Sequence, residues 1–211
     1  MFVGKNVFDI LPEKYDLWYE KHKFAYLSEV EAIRKVFSER GKSLEVGVGS
    51  GRFASLLNIE YGIDLSLNLL LIAKKRGIKV VLGNAENLPF SGNLFDNVLI
   101  CVSICFFKNP KKAISECNRI LKKEGNLTVA FVDKESFLGK FYLQKKDKSV
   151  FYRDARFFSL LQVVEMLEKS GFKDFNFVQT LFDFPENLKK PDIPLSGYGK
   201  GGFVVVSAKK G

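Results

Sequence analysis

Apolar and aromatic residues recur every three or four positions between residues 14 and 38, which is the spacing of one face of an amphipathic helix. The pattern is interrupted near the charged stretch Lys21-His22-Lys23, and Gly41 ends it. The same spacing returns in four later segments and predicts helices at 52–57, 66–76, 111–122 and 157–170. Ser66 is the expected N-cap of the second of these, and Gly171 is the expected C-terminal cap of the last.

Short apolar runs bounded by turn residues alternate with these helices and predict strands at 43–46, 59–64, 78–82, 95–102 and 126–132. Such alternation is typical of right-handed βαβ units in a mostly parallel sheet. Two later strands, 172–184 and 202–208, are joined by a connection rich in proline and glycine, which favours an antiparallel pair at a sheet edge. The sequence therefore predicts an α/β, doubly wound, Rossmann-like fold with a mostly parallel seven-stranded sheet and an antiparallel C-terminal edge strand.

Composition supports one globular domain, since the chain has 211 residues of which 46% are hydrophobic. No apolar run reaches the roughly 18 residues of a membrane helix, and the first residues lack the pattern of a signal peptide. We therefore expect a cytoplasmic protein without a membrane partner. Three cysteines and one histidine show no metal-ligand spacing, so no metal site is expected.

The formal net charge is +9, and the basic excess lies in several separate segments after Glu45. We interpret most of these residues as solvated helix faces. An acidic substrate or a nucleic acid would be the partner if the charge instead served binding.

The strongest chemical signal is a glycine loop at residues 47–51, where the first strand runs into Gly47, Gly49 and Gly51 before a helix. Glycines at such a turn let the backbone approach a ligand, and a carboxylate at the end of the second strand, here Asp64, can accept both hydroxyls of a ribose. The pattern indicates a ligand that contains a nucleoside, and a tight turn without a ligand is the alternative. Arg52 stands where the dinucleotide fingerprint has its third glycine, which disfavours a nicotinamide cofactor.

Further motifs follow the loop in order: residues 61–66, Asn84-Ala85-Glu86 with Leu88-Pro89-Phe90, Phe95-Asp96, and Glu116-x-x-Arg119-Ile-Leu-Lys122-x-x-Gly125. Together with residues 44–51 they extend over 43–132. In these motifs the chain resembles the class I S-adenosylmethionine-dependent methyltransferases of the small-molecule type (type 11), a group that includes the ubiquinone and menaquinone methyltransferases. The resemblance implies S-adenosylmethionine as the cofactor.

The same resemblance implies a role for each part of the site. Glu45 and the glycine loop would surround the methionine part of the cofactor, Asp64 would bind the ribose, and Leu65 would pack on the adenine. Cys101 and Val102 would lie beside the sulfonium. The implied cofactor-binding residues are Tyr15, Glu45, Gly47, Val48, Gly49, Gly51, Asp64, Leu65, Asn84, Ala85, Glu86, Cys101 and Val102. Relatives often carry a histidine near the position of Phe106, so this candidate base is missing and the catalytic residues stay unassigned.

The resemblance also implies an organisation for a single methyltransferase domain over residues 1–211. Residues 1–40 would form an N-terminal helical lid, 43–132 the cofactor-binding core, 133–170 a segment that covers the acceptor, and 171–211 the C-terminal strands. Aromatic and basic side chains alternate within 137–158, which can bind nucleic acid. Their place in the acceptor-covering segment favours the wall of a ligand pocket instead.

The expected reaction is in-line transfer of a methyl group to an oxygen, nitrogen or carbon atom of a small molecule, for which the protein aligns the reactants and excludes water. Small amines such as histamine, quinone precursors and carboxylates all stay open as acceptors. An RNA or DNA methyltransferase is the first alternative, because it would share the fold and the cofactor. An NAD-dependent oxidoreductase is the less favoured one. The sequence indicates no oligomeric state.

Overall fold

The computed structural model describes residues 7–211, so residues 1–6 of the expected lid lie outside the described part of the chain. The helices are α1 (Val7–Ile10), α2 (Pro12–Lys21), α3 (Lys23–Arg34), α4 (Arg52–Leu56), α5 (Leu67–Lys75), α6 (Pro110–Ile120), α7 (Phe137–Lys145) and α8 (Leu160–Lys169). The strands are β1 (Ser43–Val46), β2 (Tyr61–Asp64), β3 (Lys79–Leu82), β4 (Phe95–Cys101), β5 (Leu121–Val132), β6 (Phe172–Thr180), β7 (Leu195–Ser196) and β8 (Phe203–Lys210). Short 3-10 helices lie at Ser103–Phe106 and Lys146–Lys148.

All eight strands form one sheet in the order β3-β2-β1-β4-β5-β8-β6-β7. The pairs from β3 to β5 are parallel, and the pairs made by β8 and β7 are antiparallel. The predicted α/β fold class is confirmed. Two details differ from the prediction: the sheet has an eighth strand, the two-residue β7, and β8 is inserted between β5 and β6, so that β7 occupies the edge.

Local sequence signals explain where several elements begin and end. The helical pattern of residues 14–38 divides at His22 into α2 and α3, at the predicted interruption. The Ser66 hydroxyl accepts a hydrogen bond from the backbone N–H of Leu69, which confirms the predicted cap of α5. Several boundaries were misplaced; for example, β5 begins at Leu121 rather than at residue 126 and β6 ends at Thr180 rather than at residue 184. Helix α7 was not predicted.

The sheet is covered on both faces. Leu44 and Val46 of β1 belong to a core with residues of α6 and α8, whereas residues of α3, α4 and α5 form the core on the opposite face. Because side chains alternate along a strand, Glu45 points to that opposite face. The central strand β1 is buried along its whole length, which fixes the start of the glycine loop in the sheet.

The strand order reverses between β1 and β4, which lie side by side although β2 and β3 come between them in the chain. In open α/β sheets a reversal of this kind leaves a crevice at the carboxyl ends of the two strands. The glycine loop after β1 and the turn after β4 therefore form opposite sides of one crevice.

Candidate cofactor and acceptor site

The glycines of the loop serve two different purposes. All three have positive φ, at +76° for Gly47, +51° for Gly49 and +78° for Gly51. A Cβ atom on Gly47 would lie 2.4 Å from the Cβ of Ser103, so this glycine lets the turn after β4 pack on the loop. A Cβ on Gly49 would meet nothing closer than 3.6 Å, the distance to the ring of Tyr15. A side chain at Gly49 would thus lie at ordinary van der Waals distance from the Tyr15 ring, so this position favours glycine through its positive φ rather than through close packing.

Asp64 is fixed at the end of β2 by two backbone groups. Its Oδ2 accepts a hydrogen bond of 2.9 Å from the N–H of Gly49, and its Oδ1 accepts one of 2.8 Å from the N–H of Ser66. Burial raises the pKa of Asp64 above its ordinary value, while these N–H groups lower it in part. Each carboxylate oxygen keeps a second lone pair for a ligand hydroxyl. Beside it, Leu65 is 61% exposed and offers an apolar surface at the crevice.

Glu45 supplies a buried carboxyl group next to the loop. The residue is 1% exposed, and its Oε2 has no hydrogen-bond partner. Burial raises the pKa of Glu45 well above its usual range, the N–H of Ala54 lowers it in part, and the charge of Asp64 raises it further. Buried polar atoms are rarely left without a partner, so an orphaned carboxyl oxygen here fits a ligand that brings a donor. The amino group of a bound S-adenosylmethionine is such a donor, and the site thus fits the cofactor.

Two side chains of α6 hold the loop after β3 in place through hydrogen bonds. Arg119 donates to the carbonyl oxygens of Leu88 and Phe90, and Glu116 accepts a hydrogen bond from the N–H of Leu88. Two side chains expected at the cofactor also hold this loop. The Oδ1 atom of Asn84 accepts from the N–H of Glu86, and the Oε1 atom of Glu86 accepts from the N–H of Asn109, each at 2.9 Å.

These contacts give the loop after β3 a fixed shape without the ligand. Asn84 is exposed and keeps a lone pair on Oδ1 for an adenine amino group. The carboxylate of Glu86 is directed to the start of α6, and Ala85 is buried with only its backbone available. Glu116 and Arg119, which appear in the sequence motif, act on the site through this loop.

The turn after β4 holds the most constrained backbone of the site. Val102 adopts φ +58°, which is uncommon for a branched side chain, and its N–H donates to the carbonyl oxygen of Ala130. Strained residues of this kind occur preferentially at functional sites. Burial raises the pKa of the Cys101 thiol well above its ordinary value and that of Cys105 to about 12, so both stay protonated near neutral pH. Neither cysteine has the character of a nucleophile.

Helix α2 covers the glycine loop and is tied to it by charged side chains. Asp16 accepts hydrogen bonds from Arg52 at 2.6 Å and from Arg76 at 2.8 Å. Burial alone would raise the pKa of Asp16, but these two guanidinium groups hold it well below its usual range. Arg76 also donates to the carbonyl oxygen of Ser50 within the loop. Arg52, whose side chain excluded the dinucleotide fingerprint, thus anchors the covering helix.

Helix α1 continues this cover toward Asp64. The Asp9 carboxylate accepts a hydrogen bond of 2.6 Å from the hydroxyl of Ser66, and its backbone oxygen accepts one of 2.7 Å from Asn68. Tyr15 lies between the two halves of the site, because its ring is next to Gly49 and it also lines a second cavity. The structure therefore brings Tyr15 together with Gly49, Asp64 and Val102, four of the residues expected at the cofactor.

That second cavity, called the aromatic pocket below, lies next to the crevice. Within residues 7–211, eight aromatic side chains line it: Phe8, Tyr15, Trp18, Tyr19, Phe106, Tyr142, Phe151 and Tyr152. Val102 and Glu29 also line this pocket. The rings contact one another, for example Tyr142 stacked on Tyr152 with 5.5 Å between ring centroids. Tyr15 and Val102 are shared with the crevice, so the two cavities meet there.

Glu29 is the residue of this site that sequence reasoning missed. It lies three residues after Tyr26 and four before Ile33, both of which are buried, and is therefore a charged residue on the apolar face of α3. That position is the sequence signal that could have found it. Burial raises the pKa of Glu29 to about 8.

Two further features bear on the kind of protein. None of the helices within residues 7–211 has the length and apolarity needed to span a bilayer. The same residues contain no cluster of three or more histidine, cysteine, aspartate or glutamate side chains arranged to hold a metal ion.

Comparison with known proteins gives the family. Residues 44–129 match the methyltransferase domain family. An uncharacterized protein of Methanocaldococcus jannaschii is 45% identical over 205 residues, which are 97% of this chain and 99% of that protein. The demethylmenaquinone methyltransferase of Thermotoga maritima is 32% identical over 153 residues, which are 65% of this chain and 66% of that enzyme.

A crystal structure from Thermotoga maritima is similar over almost the whole length. It is named a SAM-dependent methyltransferase and "possible histamine N-methyltransferase", and it has a TM-score of 0.95 and 44% identity over 97% of this chain and 99% of that one. The expected enzyme class and the expected cofactor, S-adenosylmethionine, are thereby confirmed. The chain belongs to the class I S-adenosylmethionine-dependent methyltransferases.

Proposed function

We propose that this methyltransferase acts on a small molecule held in the aromatic pocket. The observation that carries the proposal is that this aromatic pocket meets the cofactor crevice at Tyr15 and Val102. Among residues 7–211, none of the residues that line the pocket is a lysine or an arginine, whereas a nucleic acid would need a basic groove. A small-molecule acceptor is therefore favoured over RNA or DNA.

The cofactor-binding residues expected from the sequence remain part of this proposal. Asp64 accepts hydrogen bonds from the ribose hydroxyls, Glu45 accepts one from the amino group, and Leu65 packs on the adenine. Asn84 and the backbone of Ala85 bind the adenine edge. Gly47, Val48, Gly49 and Gly51 bring the loop backbone to the ligand, and Cys101 and Val102 close the crevice opposite. Glu86 acts indirectly, since its carboxylate holds the N–H of Asn109.

When bound, S-adenosylmethionine supplies an electrophilic methyl group on a sulfonium, so the transfer depends mainly on alignment. The contacts of α2 with Arg52 and Arg76 keep water out of the crevice. In this scheme residues 1–40 are the lid, 43–132 bind the cofactor, 133–170 cover the acceptor and 171–211 complete the sheet within one domain. The tyrosines of the aromatic pocket orient the acceptor.

Histamine is the first candidate acceptor. The reason is that the structure named a possible histamine N-methyltransferase is similar over almost the whole chain, including the segments that form the aromatic pocket. A quinone precursor is the second candidate, from the demethylmenaquinone methyltransferase, whose similarity extends over 65% of this chain. We further propose that the protein acts in the cytoplasm.

Calorimetric titration with S-adenosylhomocysteine tests the cofactor site. We expect one binding site in the wild type, no binding of NADH, and at least tenfold weaker binding in Asp64→Asn, which lacks one of the two acceptor oxygens. Glu168→Gln on the exposed face of α8 is the matched control and should bind like the wild type. Absence of S-adenosylhomocysteine binding in the wild type would contradict the proposal.

A labelled methyl donor then identifies the acceptor class. Histamine, other small amines, a quinone precursor, a carboxylate and total RNA are incubated separately with the enzyme. We expect label in a small molecule. Label in RNA alone would refute the small-molecule proposal while leaving the family membership intact.

A further inference from the structure

Glu29 places a carboxyl group in the wall of the aromatic pocket, although only 4% of the residue is exposed. Its Oε2 atom has no hydrogen-bond partner. Within residues 7–211, none of the ion pairs involves Glu29. The carboxyl group is thus buried without any partner supplied by the described chain.

A partnerless buried carboxyl group destabilises a fold, because it loses its hydration and gains nothing in return. Such a group is retained where a bound ligand supplies the hydrogen-bond donor that the protein does not. Glu45 is explained in that way on the cofactor side of Val102, but Glu29 lies on the other side, among the aromatic rings. Its natural complement there is a ligand that donates an N–H and carries a positive charge.

The rings around Glu29 favour the same kind of ligand. The faces of tryptophan and tyrosine attract a cation through their quadrupole, and cages of such rings recognise alkylammonium groups. Trp18, Tyr19 and Tyr142 supply such rings in the pocket wall, and no described lining residue, that is, none within 7–211, is a competing lysine or arginine. A carboxylate within an aromatic cage is therefore suited to a compact organic cation.

We propose that Glu29 is the specificity-determining residue of the aromatic pocket, and that it selects methyl acceptors carrying an ammonium group by accepting a hydrogen bond from that group. This inference rests on the proposed function, in which the aromatic pocket holds the acceptor. It narrows the acceptor to compact amines and excludes neutral quinone precursors and carboxylates.

The protonation state of Glu29 provides an independent test of whether it binds an ammonium group. Burial raises the pKa of Glu29 to about 8, so the unliganded carboxyl group is mostly protonated at pH 7. The titratable groups that face it are Tyr15 and Tyr19 on α2, Cys101 on β4, Tyr142 on α7 and Tyr152, and burial raises the pKa of each, so that they stay neutral. Glu45, the next buried carboxyl group, lies on the cofactor side. An ammonium group that binds at pH 7 should therefore release close to one proton from Glu29.

The single tryptophan, Trp18, lines the pocket, so its fluorescence reports binding without turnover. The probes are histamine and phenethylamine, each compared with the alcohol in which a hydroxyl replaces the amine. We expect at least one amine to bind the wild type ten times more tightly than its alcohol. Glu29→Gln should bind that amine at least ten times more weakly and the alcohol unchanged. Glu31→Gln, at an exposed position of the same helix, should bind both like the wild type.

Equal binding of amine and alcohol, an unchanged amine affinity in Glu29→Gln, or no binding of any of the four compounds would overturn the inference. Calorimetry in buffers of different ionisation enthalpy should show proton release with the wild type and none with Glu29→Gln. Titration of both proteins with S-adenosylhomocysteine verifies that the variant is folded. Normal binding of S-adenosylhomocysteine without amine selectivity would refute this inference alone, whereas loss of S-adenosylhomocysteine binding in the wild type would refute the proposed function.

Discussion

At the scale of single residues, the carboxyl group of Glu29 couples folding to pH. Its pKa is about 8 in the folded protein, against an ordinary value of 4.5. Between these values the folded chain binds more protons than the unfolded chain, so stability falls as pH rises. The stability that the protonated Glu29 carboxyl group has over the ionised one is fully present below about pH 4.5 and is lost above about pH 8. Since one pKa unit corresponds to about 1.4 kcal/mol, the loss is on the order of a few kcal/mol.

Glu29→Gln removes this titration, so we expect the variant to gain stability relative to the wild type as pH rises from 5 to 8. Urea unfolding at pH 5, 6.5 and 8 measures the difference. Glu45 and Asp64 also have raised pKa values, but they are present in both proteins and cancel. Glu31→Gln should show no such trend. A stability difference that does not depend on pH would show that Glu29 is ionised and partnered in the folded protein.

The position of the expected cofactor-binding residues in the fold could be predicted from sequence, whereas the position of Glu29 in the site could not. Asp64 ends β2 and the glycine loop directly follows β1, so their placement depends on backbone geometry that is local in the chain. The pKa of Glu29 is raised because the fold buries the residue among rings from α2 and from α7 and Tyr152, the last two of which are distant in the chain. Prediction from sequence is limited in the same way at Arg52, because its partner Asp16 is 36 residues away in the chain. Arg52 in the sequence disfavoured a dinucleotide site, but the sequence could not indicate what its side chain binds.

At the scale of elements, Asp16 connects α2 to the glycine loop. The Asp16 and Arg52 side chains are each 15% exposed, and removal of one partner of such a pair leaves the other charge buried. We expect Asp16→Asn to lower the free energy of unfolding by about 1.5–3 kcal/mol at pH 7.5, the range of hydrogen bonds to charged groups. The pKa of Asp16 is lowered, so its contribution is present above about pH 4 and is lost only at more acidic pH.

Binding of S-adenosylhomocysteine should weaken about tenfold in the same variant, because α2 no longer holds the crevice closed. Calorimetry and urea unfolding of Asp16→Asn measure the two effects. Glu13→Gln, at an exposed position of the same helix, is the control and should change neither. A stability loss without any loss of affinity would mean that α2 supports the fold but takes no part in binding.

Helices and strands were predicted well where neighbouring residues specify them, and poorly where contacts between distant segments do. Strand β1 and helix α5 are specified by an apolar run and a serine cap, and their predicted positions were confirmed. Helix α7 was missed because its aromatic and basic residues do not form one apolar face. The insertion of β8 between β5 and β6 depends on pairing between distant segments, which hydrophobic periodicity does not encode.

At the scale of the whole molecule, the crevice is formed by the sheet but covered by the N-terminal helices. Asp9 of α1, Asp16 of α2, Arg52 of α4, and the two caps of α5, Ser66 and Arg76, are joined there by hydrogen bonds. A ligand bound among these elements stabilises the folded state as a whole. At one hundred times its dissociation constant the gain is about 2.7 kcal/mol, which corresponds to a rise in Tm of roughly 5–10 °C for a chain of this length.

The distribution of that stabilisation tests whether the N-terminal helices behave as a lid. If they close on the ligand, S-adenosylhomocysteine should slow amide hydrogen exchange most strongly in residues 7–21 and 47–51. Helix α8 packs on the other face of the sheet and should change little, which makes it an internal control. Local opening has its own free energy in each segment, so exchange separates closure of the lid from global stabilisation. Uniform slowing over α2 and α8 alike would show that the ligand stabilises the fold without closing the N-terminal helices.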